Sequence, residues 1–189
     1  ADGGLYAEMV KNRSFEFFKP FMGWKILKPD TTTGILILNQ NETNPANPRY
    51  ARITIGQGEE SFGMSNGGFR GMGIKNGMTY HFSALARQVG NSNIKMRIEL
   101  VNPKGDIVGK ASLIPAAKEW KKWTVSLTSE VTEPKAKLNV WFEGNGSLDI
   151  DMISLFPDDT WKNRPGGLRA DLVQLLYDLK PGFLRFPGG

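Results

Sequence analysis

Apolar and polar side chains alternate with a two-residue period through most of the middle of this chain. Ile94, Met96, Ile98 and Leu100 are separated by Lys95, Arg97 and Glu99, the pattern of a strand with one buried face. The same rhythm predicts strands over 35–38, 50–55, 79–86, 123–127, 137–143 and 148–156. Clusters of Asn, Pro and Gly divide them at 44–48, 102–106 and 143–146. Many short strands with such punctuation predict a mainly β protein, an antiparallel β-sandwich of the jelly-roll type.

Both ends break that rhythm. Leu5, Tyr6, Met9 and Val10 are spaced for a short helix after Asp2-Gly3-Gly4. Leu168, Leu172, Leu175, Leu176 and Leu179 recur at helical spacing, Pro181-Gly182 ends the helix, and 183–186 reads as a short buried strand. A helix feeding a buried strand belongs to an α/β barrel or a doubly wound sheet. The rest of the chain offers no strands for one. The expected order is therefore a barrel flank at 1–11, the sandwich at 12–157, a linker at 158–167 and a second, truncated barrel flank at 168–189. On this reading the sandwich is a guest between pieces of a host, and the chain is a fragment.

Composition removes several chemistries. With 189 residues, 40% hydrophobic and 23% charged, the chain is globular rather than disordered. It has no cysteine, so disulfides, thiolate metal sites and cysteine nucleophiles are excluded. His81 is the single histidine, so a Ser-His-Asp triad has one possible centre and multi-histidine zinc sites have none. The alternation around His81 makes it a strand surface residue. The net charge of +5 is dispersed, and its densest run, Lys118 to Trp123, is interrupted by Glu119 and reads as a solvated turn entering a strand. Nucleic acid is not an expected partner, and no apolar run approaches a membrane span.

Two separated motifs carry a resemblance. The opening Ala1-Asp2-Gly3-Gly4-Leu5-Tyr6-Ala7-Glu8-Met9-Val10-Lys11-Asn12-Arg13-Ser14-Phe15-Glu16 is similar to the α-L-arabinofuranosidases of glycoside hydrolase family 51. So is Gly167-Leu168-Arg169-Ala170-Asp171-Leu172 followed by Arg185-Phe186-Pro187-Gly188-Gly189, and so is Ser154-Leu155-Phe156-Pro157 before the linker. The resemblance implies a TIM-barrel retaining glycosidase that removes terminal α-L-arabinofuranosyl groups from arabinan and arabinoxylan. It implies work outside the cytoplasm, extracellular or periplasmic, because plant polysaccharides do not enter cells intact. Arg185, Gly188 and Gly189 match a motif at the rim of the family's sugar pocket. Retaining enzymes need two carboxylates about 5 Å apart, and in the family these come from later barrel strands. Glu8, Glu16, Asp171 and Asp178 match none of those positions, so no catalytic residue is assigned and the chain alone is expected to be inactive.

The sandwich itself resembles carbohydrate-binding modules of families 4 and 9, through Asn12 to Glu16, Trp24 and the acidic strand Asp149 to Leu155. In those modules a glutamate and an aspartate, here Glu16 and Asp151, help hold a structural calcium; surface ion pairs or caps explain the same acids. No cofactor is otherwise required. Alternation supplies binding candidates independently. Leu138, Val140 and Phe142 share one face of their strand, leaving Trp141 outward among Lys137, Asn139 and Glu143. Tyr50 and Arg52 oppose Ala51, Ile53 and Ile55 in the same way. A flat ring beside amide and charged groups suits a sugar, with C–H bonds on the ring and hydroxyls on the polar rim. Trp141, Tyr50, Arg52 and Asn139 are therefore the candidate carbohydrate-binding residues. An outward aromatic suits equally a contact with the missing barrel. Sugar-binding accessory region and structural buttress without sugar affinity both remain open. Trp120 and Trp123 are expected in the core or at its edge.

Overall fold

The computed structural model describes residues 4–27, 33–40, 45–56 and 61–183. Its strands are β1 (Trp24–Leu27), β2 (Gly34–Asn39), β3 (Arg49–Ile55), β4 (Phe62–Asn66), β5 (Met72–Ile74) and β6 (Thr79–Val89). They continue with β7 (Lys95–Val101), β8 (Ile107–Leu113), β9 (Lys121–Thr128), β10 (Glu133–Glu143) and β11 (Gly146–Pro157). One antiparallel sheet runs β1-β4-β10-β7-β8, with β5 also paired to β10; the other runs β2-β3-β11-β6-β9. The alternating apolar residues of both sheets meet in one core. Met96, Ile98 and Leu100 of β7 and Leu138, Val140 and Phe142 of β10 face Phe82 and Ala84 of β6 and Leu148 and Ile150 of β11. Each such side chain contributes roughly 1.5–3 kcal/mol of burial, which is why the period-two pattern dictates the sheets.

Every strand expected from the alternation is present, with ends displaced by up to four residues. The strands that alternation alone did not mark, β1, β4, β5 and β8, are short or contain Gly and Ser. β11 contains a feature legible only afterwards. Leu148 and Ile150 face the core, but so do Ile153 and Leu155, which sit at the opposite parity. An extra residue at Met152, at φ 51°, with a register shift between Asp151 and Ser154, restores the apolar side to the core.

The amino-terminal helix expected at 1–11 does not form: its described residues are extended. The physical reason is a sheet edge in need of partners. β3 pairs with β11 only from Gly146 to Ile150, leaving the rest of that edge of β11 open. Residues 8–13 fill it: the Met9 N–H donates to the Leu155 carbonyl (3.0 Å) and the Ile153 N–H to the Arg13 carbonyl (2.9 Å). Buried Glu8 accepts from the N–H groups of Leu155 (2.9 Å) and Val10 (3.0 Å). Backbone hydrogen bonding thus outweighs a helix that had only four spaced apolar residues to favour it.

The segment also ties the two ends together. Ala7 N–H donates to the Gly167 carbonyl (3.1 Å) and Arg169 N–H to the Leu5 carbonyl (2.8 Å). A short 3-10 turn, Trp161–Asn163, leads to the helix α1 (Ala170–Asp178), where Trp161 rests on Tyr177 at 6.3 Å. Leu175, Tyr177 and Leu179 remain exposed, as does Phe183. The strand expected at 183–186 lies outside the described residues beyond Phe183.

Candidate functional site

The four candidate sugar-binding residues do not form one surface. Tyr50 and Arg52 lie on the outer face of the five-stranded sheet, and Trp141 and Asn139 on the outer face of the other sheet. The core separates the two pairs.

On the five-stranded sheet, strand register sets Leu36, Arg52, Asp149 and Arg87 in one row across β2, β3, β11 and β6. Asp149 is fully buried although it faces away from the core. Arg52 grips it with Nε at 2.6 Å and Nη2 at 3.0 Å, and Arg87 adds Nε at 2.9 Å. This hydrogen-bonding holds the Arg52 guanidinium still more firmly charged than usual. The Arg87 guanidinium lies 4.8 Å from the Trp120 ring and 6.0 Å from that of Tyr50. Tyr50 and Trp120 meet edge to face at 5.3 Å. Tyr50 is buried by these contacts and offers no open ring to a ligand. Trp120, expected in the core or at its edge, instead caps this row, whereas Trp123 packs on the core and donates to the Ala86 carbonyl (3.1 Å). Trp120 and Arg87 were legible only as one half of two alternating segments that meet in the fold.

On the other sheet, Trp141 lies flat because Gly63, opposite it on β4, has no side chain: a Cβ there would be 2.6 Å from Trp141 Cε3. Its indole N–H donates to Glu99 (2.7 Å), and the Arg97 guanidinium sits 5.4 Å from the ring. Arg97 pairs with both Glu99 and Glu143, and Lys95 also pairs with Glu143. Those cations hold the Glu143 carboxyl below the usual carboxylate range. Asn139 shares the face, and its buried Oδ1 has no hydrogen-bond partner among the described residues.

Glu16 and Asp151 do come together, so that Glu16's charge acts on Asp151. Burial is the first cause that pushes the Asp151 carboxyl up, to about 6, and the neighbouring Glu16 charge adds to it. Asp151 accepts from Asn47 Nδ2 (2.6 Å) and the Met152 N–H (2.7 Å). Glu16 accepts from the Arg49 N–H (2.7 Å), while the Arg49 guanidinium donates to the carbonyls of Phe17 (2.9 Å) and Phe15 (3.4 Å). Calcium needs six to eight oxygens. Among the described residues no group of three His, Cys, Asp or Glu is placed to hold a metal. Here the Arg49 guanidinium takes the Phe15 and Phe17 carbonyls and stands 3.9 Å from Glu16 Oε2, while Glu16 Oε1 takes the Arg49 N–H.

A cleft of about 820 Å³ opens where the extended amino-terminal segment, the glycine-rich stretch before β5 and the start of α1 meet, lined by Tyr6, Glu8, Arg70, Lys75, Asp159 and Asp171. Its acids are engaged: Glu8 by backbone, Asp159 by Lys75 (2.8 Å) and Asp171 by Arg169 (2.6 Å). His81 bridges Ser126 (2.9 Å) and Asp158 (3.0 Å) on the open sheet surface, away from this cleft. The Ser126, His81 and Asp158 side chains form a hydrogen-bonded cross-strand contact. Arg185, Gly188 and Gly189 lie outside the described residues.

No family model matches the chain. An extracellular exo-α-L-arabinofuranosidase of Streptomyces chartreusis is 34% identical over 197 residues, covering 100% of this chain and 22% of that protein. α-L-Arabinofuranosidase 1 of Arabidopsis thaliana is 31% identical over 201 residues, covering 99% of this chain and 29% of that protein. The structure of an arabinose-bound α-L-arabinofuranosidase of glycoside hydrolase family 51 superposes with a TM-score of 0.84 at 26% identity, covering 100% of this chain and 32% of that one. Over its whole length the chain is similar to proteins named α-L-arabinofuranosidase. It spans between 22% and 32% of the length of these proteins. The sandwich has wider likenesses of fold alone, among them the module-bearing endo-1,4-β-D-xylanase 10B of Clostridium thermocellum, with a TM-score of 0.54 at 17% identity, covering 80% of this chain and 28% of that one.

Proposed function

We propose that this chain is the accessory sandwich region of a retaining α-L-arabinofuranosidase, binding or orienting arabinose-bearing plant polysaccharide beside a catalytic barrel rather than cleaving it. The family match along the whole chain supports the parent activity, removal of terminal α-L-arabinofuranosyl groups. The observation that carries the binding role is the outer face of the five-stranded sheet, where Trp120 and two guanidinium groups stand together on a rigid surface. Trp141 and Asn139 form a second, separate aromatic and amide patch. The acids described are occupied in ion pairs and backbone contacts, in keeping with a non-catalytic role. In this reading the cation at the Glu16 and Asp151 corner is Arg49. A polymeric substrate calls for work outside the cytoplasm, extracellular or periplasmic, and the Streptomyces relative is named as extracellular. No described helix is long and apolar enough to cross a membrane.

One observation favours the buttress reading. Trp141 is seated on Gly63 and tied to Glu99, and the exposed leucines of α1 offer an apolar surface to a barrel. Affinity electrophoresis through arabinan and arabinoxylan decides between the two. Retardation of the wild type, lost in Trp120→Ala or Trp141→Ala, supports binding and says which face carries it. Unretarded migration of the wild type establishes the buttress instead. No release from an aryl arabinofuranoside is expected, and turnover by a clean preparation would refute the non-catalytic assignment.

A further inference from the structure

We propose that the outer face of the five-stranded sheet recognises an acidic polysaccharide, one whose sugar units carry uronate carboxylates. This rests on the sugar-binding reading above and names the class of polymer. The row Leu36, Arg52, Asp149, Arg87 and Trp120 crosses the sheet at right angles to its strands. At a strand spacing of ~4.8 Å, five strands give a track of about 19 Å, long enough for several sugar units. Its two ends are apolar, with Leu36 62% exposed and Trp120 part-exposed, and its centre is cationic.

Charge balance selects the ligand. Asp149 is one carboxylate held by two guanidinium groups, so the centre keeps a surplus positive charge. Asp149 binds both arginines through Nε, which fixes them and leaves Nη1 of Arg52 and both terminal nitrogens of Arg87 without partners among the described residues. Both arginines remain about one-third exposed, so these donors reach solvent. Held donors of this geometry match a planar carboxylate, and their ordering cost is already met in the fold. Lys122 adds a further exposed cation to the same face. On the opposite sheet the cations beside Trp141, Arg97 and Lys95, are paired with Glu99 and Glu143. Trp120 supplies the ring on which a sugar's C–H face rests. A neutral polymer offers these donors only hydroxyl acceptors and leaves the positive charge unbalanced.

Affinity electrophoresis at physiological salt tests this with polygalacturonate, its carboxyl-reduced derivative and neutral arabinan. The wild type should bind polygalacturonate at least tenfold more tightly than the reduced polymer. Trp120→Ala and Arg87→Gln should each lose at least tenfold, while Lys110→Gln, the same charge change on the other sheet, should lose almost nothing. Because Arg87→Gln weakens the hold on Asp149, thermal melting checks that the variant is folded. Equal retardation by the native and reduced polymers overturns the acidic specificity but leaves sugar binding intact. Retardation by none of the three overturns both. Equal retardation by dextran sulfate and polygalacturonate, unchanged in Trp120→Ala, means that net charge alone attracts polyanions and also overturns the proposal.

Discussion

Asp151 allows a quantitative test of how the Glu16 corner is held together. Burial, with Glu16's charge in addition, moves its carboxyl from 3.8 to about 6. At about 1.4 kcal/mol per pH unit, the ionised form costs the folded state up to ~3 kcal/mol. The sign follows from a folded value above the unfolded one. Asp151's contribution is most favourable below about pH 3.8 and is lost as pH rises through about 6. Asp151→Asn removes the charge and keeps an oxygen for the Met152 N–H, while the Asn47 amide can turn over to accept from the new nitrogen. The variant should therefore be more stable than the wild type by ~1–3 kcal/mol at neutral pH, with the gain vanishing near pH 4. Urea denaturation at both pH values, with and without calcium, measures it. A variant no more stable at neutral pH, or equally improved at both pH values, refutes the reasoning. A wild type stabilised by calcium, with the effect lost on substitution, would show that a bound cation rather than Arg49 balances this corner.

Gly63→Val should displace Trp141, since even a Cβ would lie 2.6 Å from the ring. Overpacking of this kind costs roughly 1–3 kcal/mol, and the Trp141 indole N–H resonance should lose the shift imposed by Glu99; an unchanged resonance would show that the ring rests elsewhere. Leu175→Lys with Leu179→Lys should change unfolding free energy by no more than about 0.5 kcal/mol each, because both leucines are exposed. The same pair should reduce self-association in sedimentation, and a loss of ~2 kcal/mol or more would mean that the helix packs on the sandwich.

The alternation of 94–100 and 137–143 was enough to specify strands, because a half-buried strand must place every second residue in the core. The same argument located outward side chains correctly, Trp141 and Tyr50 among them. It could not say which outward residues would become neighbours. Strand order brings Arg52, Asp149 and Arg87 together from 97 and 62 residues apart and places Trp141 on the opposite side of the molecule. Local spacing also favoured a helix near Leu5, where the open edge of β11 claimed the backbone instead. Family likeness lay in short terminal motifs that any reader of the chain could meet, and matching over the full length bears it out. Side-chain chemistry and period are local properties, written residue by residue. Register, sheet order and the partner of each unpaired edge depend on contacts distant in the chain, so only the tertiary structure decided which arginines share a carboxylate and which tryptophan stands beside them.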